Sequence, residues 1–300
     1  MRPKTILFGV NIDPIHDYPA ALRQTRLAES LGLDHALVQD HAYVPKFLES
    51  WTLLSALAGA TERIALGPNV LTTPFRFPAM IAKEAATFDH ISDGRLMLGL
   101  GAGANTQGIV SMGGPDLLAK GETFRAFRDA LEIIRGLWGS NGQPYSHEGD
   151  ILSVNDVQFG PIPARRIPII TGAMGPQSLR LTSRLGDGIS LSSTYVAAEN
   201  LPWFRDQLDE GARANGRDPS ELRLYYNVMG FIETRPSGMR PRNPGVYWGN
   251  IDWWIETLST LASNGVGGFT FWPVTGDVDE QFHLFAEQIV PQVQQQQSTR

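Results

Sequence analysis

The fold is decided by one stretch of sequence, which begins with RIALGPNVLTTPFRFP at 63–78 and closes with DGRLMLGLGAGAN at 93–105. Each of these two segments contains a short apolar run. Between them, Ile81, Ala85 and Phe88 recur at helical spacing. Such spacings predict a strand, a helix and a second strand, which is the repeating unit of a parallel α/β fold.

The second strand of this unit ends in residues that carry little or no side chain, namely Gly101, Ala102, Gly103 and Ala104. A flat ligand can lie directly against bare backbone at such a strand end. A tight glycine-rich turn would have the same composition, because a lone G-x-G is a weak motif. The local pattern leaves both interpretations open.

Strand and helix patterns alternate along the rest of the chain, and the count of strands reaches eight. We therefore predict the α/β class and a TIM-type (β/α)8 barrel, formed by a single domain at 1–293. Segments rich in Gly and Pro at 106–121, 141–163 and 236–248 are expected as insertions at the C-terminal rim, the first as a loop over the barrel mouth and the second as a small hairpin. The glutamine-rich tail at 294–300 is expected to be disordered.

Composition excludes several classes of partner. The chain has 300 residues, 25 Lys plus Arg against 31 Asp plus Glu, and a net charge of −6. It has no long basic run, so neither nucleic acid nor an anionic membrane is expected as a partner. No apolar run approaches the length of about 20 residues that spans a bilayer. Zero cysteines exclude disulfides and thiolate chemistry, and a cytoplasmic location is expected.

Other chemistries known on barrels find little support. A glycosidase needs two carboxylates at strand ends, whereas the fourth strand here ends in Gly and Ala and the sixth in Ser. A metallohydrolase needs an H-x-H at the first strand, where this chain has Asn11-Ile12-Asp13, so no metal site is expected. The sequence also lacks a G-x-S-x-G nucleophile elbow and a Walker-type phosphate loop.

Four motifs resemble the luciferase-like monooxygenase superfamily, and in particular its coenzyme F420-dependent oxidoreductase branch. They are GPNVLTTPFRFP at 67–78, FDHISDGRLMLGLGAG at 88–103, VQDH at 38–41 and TGAMGPQSLRLTSRLGDG at 171–188. The resemblance extends from Ile6 to Pro291. It implies a (β/α)8 barrel that transfers a hydride between F420 and a small organic substrate, commonly as a homodimer. A monooxygenase that uses reduced FMN, and a flavin-binding relative without turnover, remain alternatives.

The Asp40-His41 pair ends the second predicted strand. An imidazole can exchange a proton near pH 7, so His41 is the predicted catalytic residue. The resemblance implies that Asp40 contacts the coenzyme. A loop cap at His41 and a solvated Asp40 would be the structural alternative.

The resemblance also implies the coenzyme contacts. At Asn69–Val70 in the third strand, the family carries a cis peptide bond without proline, which supports the back of the ring. The segment at 172–176 precedes a helix and suits a phosphate, because backbone N–H groups are exposed at a helix N-terminus, although a plain turn would look the same. The predicted coenzyme-binding residues are Asp40, Asn69, Val70, Thr72, Gly101, Ala102, Gly103, Gly172, Ala173, Met174, Gly175 and Pro176.

Aromatic residues near strand ends predict the substrate wall, for which Trp272 and Tyr43 are the candidates. Arg76 and Lys83 are candidates for holding the anionic tail of the coenzyme. Ala104 stands where, by the resemblance, relatives that oxidise sugar phosphates carry an acid. A sugar phosphate is therefore not the expected substrate.

Overall fold

Eight strand positions form a nearly closed parallel barrel in the computed structural model, which describes residues 5–116, 121–172, 174–235, 238 and 241–298. The predicted barrel is confirmed. The strands are β1 (Leu7–Ile12), β2 (His35–Val38), β3 (Ala65–Pro68), β4 (Leu71–Thr72), β5 (Leu98–Gly101), β6 (Tyr145–His147), β7 (Val154–Val157), β8 (Ile169–Thr171), β9 (Gly188–Ser192), β10 (Arg223–Glu233), β11 (Val246–Asn250) and β12 (Gly268–Pro273).

The order around the barrel is β3-β2-β1-β12-β10-β9-β8-β5-β4. The strands β3 and β4 are two parts of the third strand position, which is interrupted at residues 69 and 70. They stand at the two ends of the strand order, so the barrel is nearly closed. The strand β11 adds to the upper part of β10, in parallel. Strands β6 and β7 form the small antiparallel hairpin that was predicted within 141–163.

Helices follow the strands and cover the barrel. They are α1 (Tyr18–Ser30), α2 (Ser50–Ala58), α3 (Pro78–Ile91), α4 (Thr106–Ser111), α5 (Glu122–Gly139), α6 (Pro176–Leu185), α7 (Leu201–Ala214), α8 (Ile251–Ser263), α9 (Val278–His283) and α10 (Val290–Ser298), with a π-helical segment at Leu284–Ile289. The strands are apolar on the faces that these helices cover, as expected for a parallel sheet buried on both sides. Phe8, Phe269 and Phe271 are at most 1% exposed.

Two predictions about the insertions and the tail were wrong. The segment at 106–121 is not a plain loop, because its first six residues form α4, capped by Asn105. The tail is not disordered through 298, because α10 reaches that residue and crosses the predicted boundary at 293. Val293 is fully buried, and the Gln297 side chain donates a hydrogen bond to the backbone of Ser259 in α8. The single-domain organisation stays a prediction.

Inside the barrel, apolar side chains close the lower part and polar groups lie above them. Leu37, Met97, Ile170 and Tyr225 form a separate buried cluster. Residues two positions further along a strand point to the same side, so Gln39, Gly172 and Asn227 lie one layer closer to the C-terminal ends. The barrel therefore has an apolar floor under a polar mouth.

His35 is a fully buried histidine in this interior. Its Nε2 lies 3.0 Å from the Thr270 hydroxyl oxygen, and the two residues flank Gly9 in the register of β2, β1 and β12. A Cβ at Gly9 would lie 2.3 Å from the imidazole ring, so glycine is required there. Burial, with a smaller contribution from Arg223, lowers the pKa of His35 to about 3.

This burial predicts a loss of stability in mild acid. Below the unfolded pKa of 6.5 the unfolded chain binds a proton at His35, whereas the native protein does not until the pH approaches 3. Stability therefore falls as the pH falls through this window. Between pH 7 and pH 5 the free energy of unfolding should drop by about 2 kcal/mol more in the natural protein than in a His35→Gln variant. Urea unfolding of both proteins at the two pH values measures the difference, and an equal drop in both would contradict the assignment.

Candidate active site

A cavity of about 670 Å³ opens at the C-terminal ends of the barrel strands. This volume is in the range of small-molecule and cofactor sites. Its position is that of the working surface of (β/α)8 barrels. The cavity brings together ten of the predicted site residues: His41, Tyr43, Asn69, Val70, Thr72, Gly101, Ala102, Gly103, Gly172 and Trp272.

The Val70 side chain forms part of the cavity wall, and the positions that lie closest to it are glycines. The predicted cis peptide bond at Asn69–Val70 is present. A Cβ at Gly101 would lie 2.7 Å from a Val70 methyl, and a Cβ at Gly99 or Gly172 would lie 3.1 or 3.2 Å from one. The glycines were expected to expose bare backbone to a ligand. Instead, Val70 occupies the space above them and presents its side chain to the cavity.

The side chain of Asn69 is held by a closed cycle of three hydrogen bonds at the base of the cavity. Its amide nitrogen donates to Asn227 Oδ1 over 2.9 Å, and its Oδ1 accepts from the Ser190 hydroxyl over 2.8 Å. The Asn227 amide in turn donates to Ser190 Oγ over 3.1 Å. Satisfied polar networks of this kind fix one arrangement of the side chains. The cycle ties the interrupted third strand position to β9 and β10, across the barrel.

Asp40 is not among the residues that line the cavity, and its predicted contact with the coenzyme stays a prediction. Its side chain is 1% exposed. One carboxylate oxygen accepts from the Ser50 hydroxyl at 2.7 Å, and the other accepts from the Thr72 backbone N–H at 2.7 Å and from Arg76 at 3.2 Å. The Asp40 carbonyl also accepts from the Thr72 hydroxyl. Asp40 therefore connects β2 to β4 and supports the wall from behind.

His41 lies on the cavity side of the same segment. Its Nδ1 is 3.1 Å from the Asp40 carbonyl oxygen and 3.2 Å from the Tyr43 hydroxyl oxygen. Its ring stacks with that of Tyr43, with centroids 5.5 Å apart and 23° between the planes. Partial burial lowers the pKa of His41, against an opposing contribution from the Asp40 charge. The imidazole is therefore neutral near pH 7 and able to accept a proton.

Trp272 lies on β12, next to β1 in the barrel, and its indole is close to the end of β1. Burial raises the pKa of the Asp13 carboxyl, and the neighbouring Trp272 indole and the charge of Lys46 lower it to a smaller extent. Asp13 accepts from the Asn11 amide over 3.2 Å. Two cavity residues, Asn11 and Trp272, thus lie next to this carboxyl.

Among the described residues of the predicted phosphate loop, Gly172 is the one that lines the cavity. Ala173 lies outside the described residues. Met174, Gly175 and Pro176 are exposed and do not line the cavity. Gly175 caps α6 without a side-chain hydrogen bond, and Pro176 opens the helix. Backbone N–H groups therefore remain available at a helix N-terminus beside the cavity, which is compatible with the predicted phosphate contact.

The two candidates for holding an anionic tail are engaged elsewhere. Arg76 pairs with Asp40 and Glu49, and Lys83 donates to the carbonyl of Gly160. Neither residue lines the cavity. A contact of these two residues with the coenzyme tail stays a prediction.

Several cavity residues were missed from the sequence. Most stand at the ends of barrel strands or just beyond them, so a systematic choice of alternate residues at each strand end would have found them. Asn105, Tyr195 and Asn243 lie in rim segments and have no such signal. The missed residues are Asn11, Gln39, Leu71, Ala104, Asn105, Thr123, Ser192, Thr194, Tyr195, Asn227, Met229 and Asn243.

The parallel barrel, the interrupted third strand position and the rim cavity define a (β/α)8 barrel with a cavity of cofactor size at the C-terminal ends of its strands. The chain belongs to the luciferase-like monooxygenase family, whose family model matches residues 6–237. The predicted family is confirmed.

Among individual proteins, the chain is similar to the F420-dependent glucose-6-phosphate dehydrogenase of Intrasporangium calvum, with 31% identity over 80% of this chain and 71% of the relative. It is also similar to the 5,10-methylenetetrahydromethanopterin reductase of Archaeoglobus fulgidus, with 34% identity over 65% of this chain and 57% of the relative. Among solved structures, an F420-dependent secondary alcohol dehydrogenase in complex with an F420-acetone adduct superposes with a TM-score of 0.83. That match has 19% identity and covers 96% of this chain and 99% of the other. It shows a shared fold.

Within the described ranges, no helix is both long enough and apolar enough to cross a membrane.

Proposed function

We propose that this protein is a coenzyme F420-dependent oxidoreductase that transfers a hydride between C5 of the deazaflavin and a small organic substrate. The observation that carries the proposal is the cavity wall formed by Val70 with His41 on the same rim. Curated relatives at 31% and 34% identity are named for F420 dependence or for a reductase reaction. Those names support the coenzyme and the oxidoreductase class.

The residues present fit the proposed coenzyme. The cavity has room for a planar ring, and Val70, seated over three glycines, gives that ring a surface to rest on. Asn69, Gln39 and Asn227 offer amide groups that can hydrogen-bond the polar edge of the ring. The start of α6 offers N–H groups to a phosphate. When bound, F420 supplies hydride chemistry at C5.

The protein's own tasks are then orientation and proton supply. His41 holds or releases a proton at the cavity surface. Tyr43 and Trp272 provide aromatic walls. No lysine or arginine is among the cavity-lining residues in the described part of the chain. This supports a neutral, unphosphorylated substrate, in agreement with the absence of an acid at Ala104.

A titration of the coenzyme-free protein tests this proposal. F420 and FMN are added separately, and their absorbance and fluorescence are followed. We expect F420 to bind with a Kd at least about tenfold lower than that of FMN. Tight binding of FMN with no binding of F420 would favour the alternative, a monooxygenase using reduced FMN. Tight F420 binding without turnover of any carbonyl, imine or alkene substrate would favour a non-catalytic binder.

Two further features belong to the proposal. We propose a homodimer, because large apolar side chains are exposed at the two ends of α3: Phe77, its N-cap residue, is 78% exposed, Met80 50% and Ile91 71%. Exposed apolar surface of this kind is used in protein–protein contacts. A cytoplasmic location is also proposed, since a chain without cysteine is compatible with a reducing compartment.

A further inference from the structure

Tyr43 has a hydrogen-bonding role that its predicted place in the substrate wall does not use. Its hydroxyl oxygen lies 3.2 Å from His41 Nδ1. Its ring stacks with the His41 ring at a centroid distance of 5.5 Å. Phe47 lies nearly parallel to His41 as well, with centroids 6.4 Å apart and 12° between the planes. The imidazole is therefore held by aromatic contacts and by its Nδ1 atom.

Asn105, the N-cap residue of α4, lies beside Tyr43. The Asn105 Oδ1 accepts the backbone N–H of Gly108 over 3.0 Å, so the amide nitrogen is the group left for Tyr43. Burial raises the pKa of Tyr43, and the neighbouring Asn105 side chain offsets part of that increase. A Cβ at Gly108 would lie 2.7 Å from the Tyr43 ring and 2.9 Å from the Asn105 Nδ2. The absence of a side chain at Gly108 thus lets Tyr43 and Asn105 meet.

The partners of Nδ1 determine the tautomer of His41. A backbone carbonyl can only accept, so a hydrogen on Nδ1 is the arrangement that makes the 3.1 Å contact with the Asp40 carbonyl a hydrogen bond. The Tyr43 oxygen can accept from the same N–H. In the described part of the chain, Nε2 has no hydrogen-bond partner. The second ring nitrogen therefore carries the lone pair.

We propose that Tyr43 and Asn105 are positioning residues that hold His41 in the Nδ1–H tautomer, so that Nε2 is the atom that exchanges a proton with the bound ligand. The catalytic meaning of this arrangement rests on the proposed function. The arrangement itself is a property of the coenzyme-free protein. When Nε2 takes a proton, the charge is shared with two acceptors at Nδ1, and Tyr43 thereby favours the protonated imidazole.

Other charged and titratable groups around His41 are few. Asp40 precedes His41 in the chain, and its carboxylate forms an ion pair with Arg76. Lys46 lies 5.8 Å from the centroid of the Phe47 ring. Tyr195 interacts electrostatically with Tyr43. A substitution at Tyr43 that keeps the ring leaves all of these groups in place.

The test is a Tyr43→Phe variant, which keeps the aromatic stack and removes the hydroxyl. Nitrogen-15 NMR of histidine in the coenzyme-free protein reports both the tautomer and the pKa of His41. We expect the Nδ1–H tautomer in the natural protein and a pKa lower by roughly 0.5 to 1 unit in the variant. An Asn105→Ser variant, which can still cap α4, should lower the pKa in the same direction by a smaller amount. The matched control is Tyr145→Phe, which removes a hydroxyl that donates to the Glu132 carbonyl and should leave the His41 titration unchanged.

An Nε2–H tautomer in the natural protein, or an unchanged His41 pKa in Tyr43→Phe, would overturn the inference. In a turnover assay with F420, the variant should move the pH at which kcat changes and leave the KM for the coenzyme nearly constant. A change in KM alone would instead assign Tyr43 to the binding wall. If the NMR result is as expected but F420 does not bind, the positioning role stands and the coenzyme proposal fails.

Discussion

A His41→Ala variant is expected to lose about two to four orders of magnitude in kcat with F420 as coenzyme, because a positioned general acid or base contributes that much to proton transfer. The affinity for F420 should change by less than about threefold, since His41 borders the cavity while Val70 and the strand ends carry the ring. Steady-state turnover and a separate binding titration measure the two effects.

The control for this prediction is His283→Ala. His283 lies in α9, and its side chain is 48% exposed and paired with Glu287. This variant should keep both turnover and coenzyme affinity. Full activity in His41→Ala would show that the proton comes from another group. A loss of coenzyme binding equal to the loss of turnover would place His41 in the binding wall instead.

A Gly101→Ala variant is expected to weaken F420 binding by at least about tenfold and to lower the free energy of unfolding by about 1 to 3 kcal/mol, as overpacking of a closely packed site does. The new Cβ would lie 2.7 Å from a methyl of Val70. Val70 must therefore move into the space where the ring is proposed to lie. Isothermal titration and urea unfolding measure the two quantities.

A second substitution separates the causes of this effect. In Gly101→Ala with Val70→Ala, the clash is removed, so most of the stability should return. Coenzyme binding should stay weak because the raised surface is gone. Gly139→Ala serves as the control, since nothing lies within 4 Å of the added Cβ at the end of α5. Unchanged F420 affinity in the single Gly101→Ala variant would contradict the role assigned to Val70.

The barrel was predictable from sequence because its strands are nearly continuous apolar runs and its helices have strong periodicity. The rim position of the site followed from the fold. The peptide bond at Asn69–Val70 followed from the resemblance to a family, since such bonds are too rare to expect from local sequence.

Asp40 shows that a sequence motif does not reveal the direction of each side chain. Successive residues of an extended segment point to opposite sides. Gln39 and His41 accordingly line the cavity, whereas Asp40 between them is buried behind it. The motif placed Asp40 next to His41 in sequence but did not specify on which face of the extended segment the Asp40 side chain lies.

Other parts of the site depend on contacts between distant residues. Asn69 meets Ser190 and Asn227 across the barrel, and no local pattern records these partners. The tail was predicted to be disordered because of its glutamines. Val290 and Val293, which precede those glutamines, begin the helix that continues into the tail. These two valines are three positions apart, and both are buried.

The central claim is that a planar redox ring rests on Val70 at the mouth of the barrel. A crystal structure of the protein with oxidised F420 tests it most directly. We expect the deazaflavin ring in the cavity, with one face against Val70 and His41 at the rim, and the phosphate beside the start of α6. A ring bound outside this cavity, or a cavity filled by side chains in the complex, would contradict the claim.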